Sequence, residues 1–311
     1  MWSAVASAAR HRFGCIEREA NPKRRRLPPQ RSCPAGDLGP LRSAGALHKV
    51  SDQKRHLSDP LGLTVMPDAT FKIFRGDRGG GKLVEYNVPI ATGMVVLDAL
   101  HYIQAHQAPD LAVRWNCKAG KCGSCSAEVN GRPRLTCKTR MDALPLNEPI
   151  TVQPMKSFPV IRDLVTDVSW NYRVNRMIPP FTPRADVEWK MDQRDVDRVQ
   201  EFRKCIECFL CQNVCHVLRD HDKGEQFGGP RFFVRIAGLE MHPLDGLSRT
   251  ALLKDELGIG LCNITKCCTE VCPEDIQITD NAIIPLKERV VDDYYDPVRW
   301  FLRKLKGKRR S

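Results

Sequence analysis

The sequence predicts an α+β chain of two domains, a small mixed domain followed by a larger, mainly helical one. Three observations lead there. Apolar residues alternate from Phe71 onward and then give way to one amphipathic helical stretch, the pattern of a sheet with a helix. Beyond a proline-rich segment, strand patterning thins out and helical periodicity takes over. Of the 14 cysteines, 12 fall in three tight clusters, one in the first region and two in the second. At 311 residues the chain has room for about two domains of ordinary size.

Residues 1–65 stand apart. They carry 12 basic and 5 acidic side chains, are rich in Arg, Pro, Ala and Ser, and include Lys23-Arg24-Arg25-Arg26 ahead of Pro28-Pro29. No apolar periodicity survives for two helical turns, so disorder is expected. The extension reads either as an organellar transit peptide or as translated upstream sequence with the true start near Met66. The strand pattern that opens at Phe71, soon after Met66, favours the second. The rest of the chain holds 37 basic and 32 acidic residues, too mild an excess to point to nucleic acid. No run approaches the roughly 20 apolar residues of a membrane helix.

The first domain is expected over 68–160. Phe71 and Ile73, then Leu83, Tyr86 and Val88, alternate around Gly79-Gly80-Gly81 and give two strands. Val95, Val96, Leu97, Leu100 and Ile103 share one helical face. A glycine-rich cysteine loop follows over 115–126, then a hairpin at Asn130-Gly131 and a strand at Ile150-Thr-Val. The run Ile178-Pro-Pro-Phe-Thr-Pro-Arg marks a linker, 161–184. The second domain, 185–300, carries amphipathic helical stretches at 192–204, 247–257 and 284–290, and a basic tail, 301–311, ends the chain.

Clustered cysteines in a long chain are poor disulfide geometry and good metal-ligand geometry, which points to a reducing compartment. The first cluster is Cys117-x4-Cys122-x2-Cys125-x11-Cys137, the plant-type spacing for a 2Fe–2S centre. Three thiolates come from one loop and the fourth from a neighbouring strand, while Gly120 and Gly123 let backbone N–H groups approach. A four-thiolate zinc site is the alternative, although zinc normally takes two C-x2-C pairs. The second cluster, Cys205-x2-Cys208-x2-Cys211-x3-Cys215, has the spacing of bacterial two-cluster ferredoxins. In that scheme Cys205, Cys208 and Cys211 hold a 4Fe–4S cubane and the following cysteine reaches across to another centre. The third cluster, Cys262-x5-Cys268-x3-Cys272-Pro273, supplies the exchange: Cys272 returns to the cubane, and Cys262 and Cys268 join Cys215.

One absence carries information. A complete third run would place its middle cysteine at position 265, where Thr265 stands. Three thiolates, Cys215, Cys262 and Cys268, then favour a 3Fe–4S centre; the competing reading is a 4Fe–4S centre with another ligand, Cys267 being nearby. Cys267 itself reads as a buried structural thiol. His216 reads as a packed residue and Trp115 as core. No GxGxxG after a strand, P-loop or HExxH appears, and no catalytic residue is assigned.

At these residues the chain resembles the iron–sulfur subunit of succinate dehydrogenase and fumarate reductase, in wording closest to the actinobacterial branch. The stretches are Arg114-Trp-Asn-Cys-Lys-Ala-Gly-Lys-Cys-Gly-Ser-Cys, Lys204-Cys-Ile-Glu-Cys-Phe-Leu-Cys-Gln-Asn-Val-Cys-His and Leu261-Cys-Asn-Ile-Thr-Lys-Cys-Cys-Thr-Glu-Val-Cys-Pro. The resemblance covers about 68–300. It implies an N-terminal β-grasp 2Fe–2S ferredoxin-like domain and a C-terminal α-helical ferredoxin-like domain. It also implies a partner flavoprotein with covalent FAD and the dicarboxylate site, and a membrane-anchor subunit completing a quinone site near the three-iron centre. Electrons would run from FAD through 2Fe–2S, 4Fe–4S and 3Fe–4S to quinone. The implied location is peripheral, on the cytoplasmic face of a bacterial plasma membrane, or on the matrix side of the mitochondrial inner membrane.

Two departures stand out. Tryptophans that follow the middle motif in many members are replaced by His216-Val-Leu-Arg-Asp220, and a histidine common after the first cysteine of the last motif is Asn263. Quinone-binding residues are therefore left unassigned. The tail residues Arg303, Lys304, Lys306, Lys308, Arg309 and Arg310 read as a solvated end or as a contact for anionic headgroups, worth about 1 kcal/mol per cation. A soluble multi-cluster electron carrier is the competing function, against which stands the 46-residue insert between Cys215 and Cys262.

Overall fold

The structure, a computed structural model, describes residues 65–297 except 186 and 222. Apart from Val65, the extension 1–65 lies outside the described residues, as does the tail 301–311. The sheet begins with β1 (Val65–Asp77) and β2 (Gly80–Ala91), an antiparallel pair with Phe71 opposite Tyr86 and Ile73 opposite Val84. In β1 the odd residues Ala69, Phe71 and Ile73 are fully buried; in β2 the even residues Val88 and Ile90 are. A strand exposes alternate residues, so Leu83 falls on the outer face and is 43% exposed, contrary to the expected pattern.

Helix α1 (Val96–His106) lays Val96, Ala99, Leu100 and Ile103 on this sheet. It starts where the Asp98 carboxylate accepts the Val95 N–H (3.1 Å). Then come β3 (Ser126–Val129) and β4 (Arg132–Leu135), joined at Asn130 and Gly131, both with positive φ (49° and 73°), as a two-residue hairpin turn requires. β5 (Ile150–Gln153) runs parallel to β1 and antiparallel to β3, which closes a mixed sheet around α1, the β-grasp arrangement.

The stretch 161–184 is not simply a linker. β6 (Val160–Arg162) and β7 (Val165–Thr166) extend the sheet, and α2 (Ser169–Met177) follows. Buried Asp163 secures them by accepting the N–H groups of Gly76 (3.0 Å) and Ala112 (2.9 Å) and Arg75 Nε (3.1 Å). These bonds span 51 to 88 residues of sequence, which local patterning does not register.

The second module is helical: α3 (Gln193–Arg203), α4 (Leu210–Val214), α5 (His216–Arg219), α6 (Pro230–Glu240), α7 (Cys267–Glu270) and α8 (Ile284–Tyr294). α3 and α8 lie where amphipathic periodicity predicts helices. α6 is the centre of the core, with Phe232, Phe233, Val234, Ile236 and Ala237 all buried. The stretch 247–257 is helical only from Thr250, ending in a wide turn over Leu252–Glu256. Fully buried Arg249 holds its start out of the helix, donating to the carbonyls of Pro179 (3.0 Å) and Pro180 (2.7 Å) and pairing with Asp245 (2.9 Å). Among the described residues no helix is long and apolar enough to cross a membrane.

The two modules meet around Glu128, buried on β3 at 1% exposure. It accepts from Asn213 Nδ2 (2.9 Å) on α4 and pairs with Arg219 (3.2 Å) on α5 and with Lys156 (3.5 Å). Three partners on one buried carboxylate tie the two surfaces together at a defined point, although its Oε2 accepts no hydrogen bond.

Candidate metal centres

The first site is built by the loop between α1 and β3. Lys118, Gly120 and Gly123 all take positive φ (54°, 66° and 69°), and this left-handed winding turns the loop around its thiols. The N–H groups of Ala119 (3.3 Å) and Lys121 (3.4 Å) point at the Cys117 sulfur. Cys137 comes from beyond β4, where the Thr136 N–H and hydroxyl, both 3.1 Å from the Cys125 carbonyl oxygen, hold the return segment against the loop. The structure therefore brings together Cys117, Cys122, Cys125 and Cys137, with Cys117 paired to Cys122 and Cys125 to Cys137. Burial, with Cys125 beside it, pushes the Cys137 thiol up to about 12. Burial also raises Cys122, but hydrogen bonds from Ser124 and Cys117 outweigh it and bring that thiol down to about 6.

The second and third loops share one conformation. In Cys205–Cys211 the left-handed residues are Glu207 and Phe209; in Cys262–Cys268 they are Ile264 and Lys266, at the same two offsets. Each loop runs into a short helix, α4 or α7, and each helix is followed by another cysteine, Cys215 or Cys272. Superposed by offset, Thr265 stands where Cys208 stands. Cys205, Cys208, Cys211 and Cys272 line one cavity walled by Phe209, Val234 and Ile276. Cys215, Cys262 and Cys268 form the other group, Cys268 lying near both Cys262 and Cys267.

Burial above all, and crowding by other thiols, pushes Cys208 and Cys215 up to about 12, Cys268 up to about 11, and Cys211 and Cys272 upward. Bare, these thiols keep their protons. Buried all-thiol sets become thiolates only when a cation compensates them, so donor chemistry and loop winding both fit iron–sulfur centres.

Several expectations need correction. Trp115 is 45% exposed rather than core; it meets His101 edge-on at 4.7 Å, with the Lys118 ammonium 5.2 Å from its ring. Cys267 is half-buried, its sulfur 3.2 Å from the Thr265 hydroxyl and 3.7 Å from the Val214 carbonyl. His216 needs no such correction: it is half-buried, its Nε2 2.7 Å from Asn263 Oδ1, so the two departures from the family pattern touch each other. Sequence reasoning missed Ser126 and Glu128, which join the modules through contacts visible only once the chain is folded.

Comparison with known proteins agrees with this geometry. The family described as 2Fe-2S iron-sulfur cluster binding domain matches residues 70–172, and the 4Fe-4S dicluster domain family matches 201–276. The fumarate reductase iron-sulfur subunit of Mycobacterium tuberculosis (strain CDC 1551 / Oshkosh) is 33% identical over 203 residues, covering 61% of this chain and 79% of that one. Its counterpart from Escherichia coli O6:H1 is 31% identical over 204 residues, with the same coverage. A chain in the structure of the Mycobacterium smegmatis Sdh1 complex in the apo form aligns with a TM-score of 0.72 and 62% identity, over 74% of this chain and 98% of that one.

Fold and thiol placement define a two-module iron–sulfur protein, a 2Fe–2S ferredoxin domain joined to a helical dicluster domain. The chain belongs to the family of fumarate reductase and succinate dehydrogenase iron–sulfur subunits, the electron-transfer subunits of oxidoreductase complexes.

Proposed function

We propose that Cys117, Cys122, Cys125 and Cys137 hold a 2Fe–2S centre. In the same reading Cys205, Cys208, Cys211 and Cys272 hold a 4Fe–4S centre, and Cys215, Cys262 and Cys268 a 3Fe–4S centre. Such centres take and release single electrons. The chain's part is to bury them, order them and supply backbone N–H groups near their sulfurs. The electrons come from FAD on a partner flavoprotein and pass to quinone at a membrane-anchor subunit. The protein is then peripheral, on the cytoplasmic face of a bacterial plasma membrane.

The observation that carries the three-iron assignment is the shared winding of the two loops. The backbone of a cubane loop is kept at Cys262–Cys268, yet the position equivalent to Cys208 is a threonine, whose hydroxyl is a poor iron ligand. Support for an anchor beside this centre is the exposed apolar group Leu261, Ile264 and Val291, each 39% or more exposed, next to the third loop.

Electron paramagnetic resonance of the purified complex tests the reading. An oxidised three-iron signal, with reduced 2Fe–2S and 4Fe–4S signals, is expected. Thr265→Cys should convert the three-iron centre to four irons; a variant that keeps the three-iron signal contradicts the role given to position 265.

A further inference from the structure

The first and second thiol loops meet directly where the two modules touch. Cys125, Cys137, Cys208 and Leu210 belong to one buried cluster. Gly123 touches the second loop: a Cβ built on it would lie 2.6 Å from Cys208 Cα, 2.8 Å from Cys208 N and 2.9 Å from the Ile206 carbonyl oxygen. All three obstacles are backbone, which has no rotamer to change, and the positive φ of Gly123 (69°) further favours glycine. Next along the strand, the buried Ser126 hydroxyl lies 2.8 Å from the Cys208 carbonyl oxygen and 3.0 Å from the Gly123 carbonyl oxygen.

A serine at the start of a buried strand needs only one acceptor. This one reaches out of its own module to the carbonyl of a cubane thiol residue, while being bonded through its own peptide to Cys125. The result is an unbroken route from Cys125 through the Ser126 main chain, side chain and hydrogen bond to Cys208.

We propose that Gly123 and Ser126 form the electron-conducting contact between the 2Fe–2S and 4Fe–4S sites. Gly123 lets the two loops meet backbone to backbone, and Ser126 supplies the bonded path. One electron leaves the first centre by way of Cys125 and enters the second by way of Cys208. The first is oxidised by one electron, the second reduced by one, and no proton moves. Ser126 is a positioning residue, since it acts through the two cysteines and touches neither centre. The inference rests on the ligand assignment above.

The test uses the full complex carrying Ser126→Ala, Ser126→Thr or Gly123→Ala. Electrons are injected by a photochemical reductant, and rapid-freeze paramagnetic resonance follows the decay of the reduced 2Fe–2S signal. Midpoint potentials and the spin–spin relaxation between the two centres are measured on the same samples. Ser126→Ala is expected to slow transfer severalfold with potentials and spin coupling unchanged, and Ser126→Thr, which keeps the hydroxyl, to restore it. A serine that merely steadied the interface would lower stability and leave the rate alone, so a wild-type rate in Ser126→Ala overturns the proposal. Gly123→Ala is expected to weaken spin coupling and slow transfer together. Should Ser126→Ala lose a centre, a wild-type rate and coupling in Gly123→Ala overturns the proposal instead. Absence of 2Fe–2S and 4Fe–4S signals from the wild-type complex would strike the ligand assignment, a different failure.

Discussion

His101 on α1 shows how a single side chain ties the first thiol loop to the helix behind it. Its ring meets Trp115, and its Nε2 is buried without a hydrogen-bond partner. Burial, and then the charge of Lys118, lowers its pKa below the usual 6.5. A base whose folded pKa is depressed adds stability above its unfolded pKa and loses it as pH falls through the folded value. The protein should therefore become easier to unfold as pH drops below about 6.5. His101→Gln should flatten that slope, as urea midpoints measured between pH 7.5 and 5 would show. An equal slope in both proteins would mean that other groups carry the acid sensitivity. Trp115, beside His101, also shows where residue-level reading stops. A tryptophan next to a cysteine motif reads as core, yet here the exposed loop needs a lid for its helix.

Among the elements, α6 organises the helical module and Arg249 anchors the chain to it. Arg249 is fully buried, against Asp245 at 1% side-chain exposure and Glu240 at 5%. Arg249→Met leaves Asp245 buried without its cation, and leaves Glu240 with Arg289, 3.5 Å away. Breaking a buried pair in this way costs about 3–5 kcal/mol, so the urea midpoint of the helical module should fall markedly while the 2Fe–2S signal persists. The sequence announces α3 and α8 because each has a polar face to set against an apolar one. α6 is no less amphipathic and its start is marked by Gly229-Pro230, so it too was legible. β6, β7 and α2 escape notice: Asp163 anchors them through distant partners, and a two-residue strand has no period to read. The hairpin at Asn130-Gly131 was legible because its turn geometry is written in two adjacent residues.

At the scale of the molecule, the cysteines proposed as ligands are also core. Cys211, Cys215 and Cys268 sit in the same apolar cluster as Phe232, Phe233 and Ile283. Removing iron would leave protonated thiols around cavities, without the links that join residues 205–215 to 262–272. Anaerobic chelation should therefore melt the helical module cooperatively, with loss of far-ultraviolet helical circular dichroism, and cost the sheet module less. Helical signal that survives complete iron loss would show that apolar packing suffices. Cysteine spacing made the grouping of the thiols legible in advance, because short offsets constrain loops. The Gly123–Ser126–Cys208 junction was not legible, because it joins residues 82 or more apart.

The cavity that receives Cys205 is completed by Cys272, 67 positions later. During synthesis, then, neither proposed cage of the helical module can close until its last thiol, Cys268 or Cys272, has left the ribosome. The nascent chain must hold its earlier thiols open and unoxidised meanwhile, whereas the first loop, finished by Cys137, has its last thiol 135 residues before Cys272.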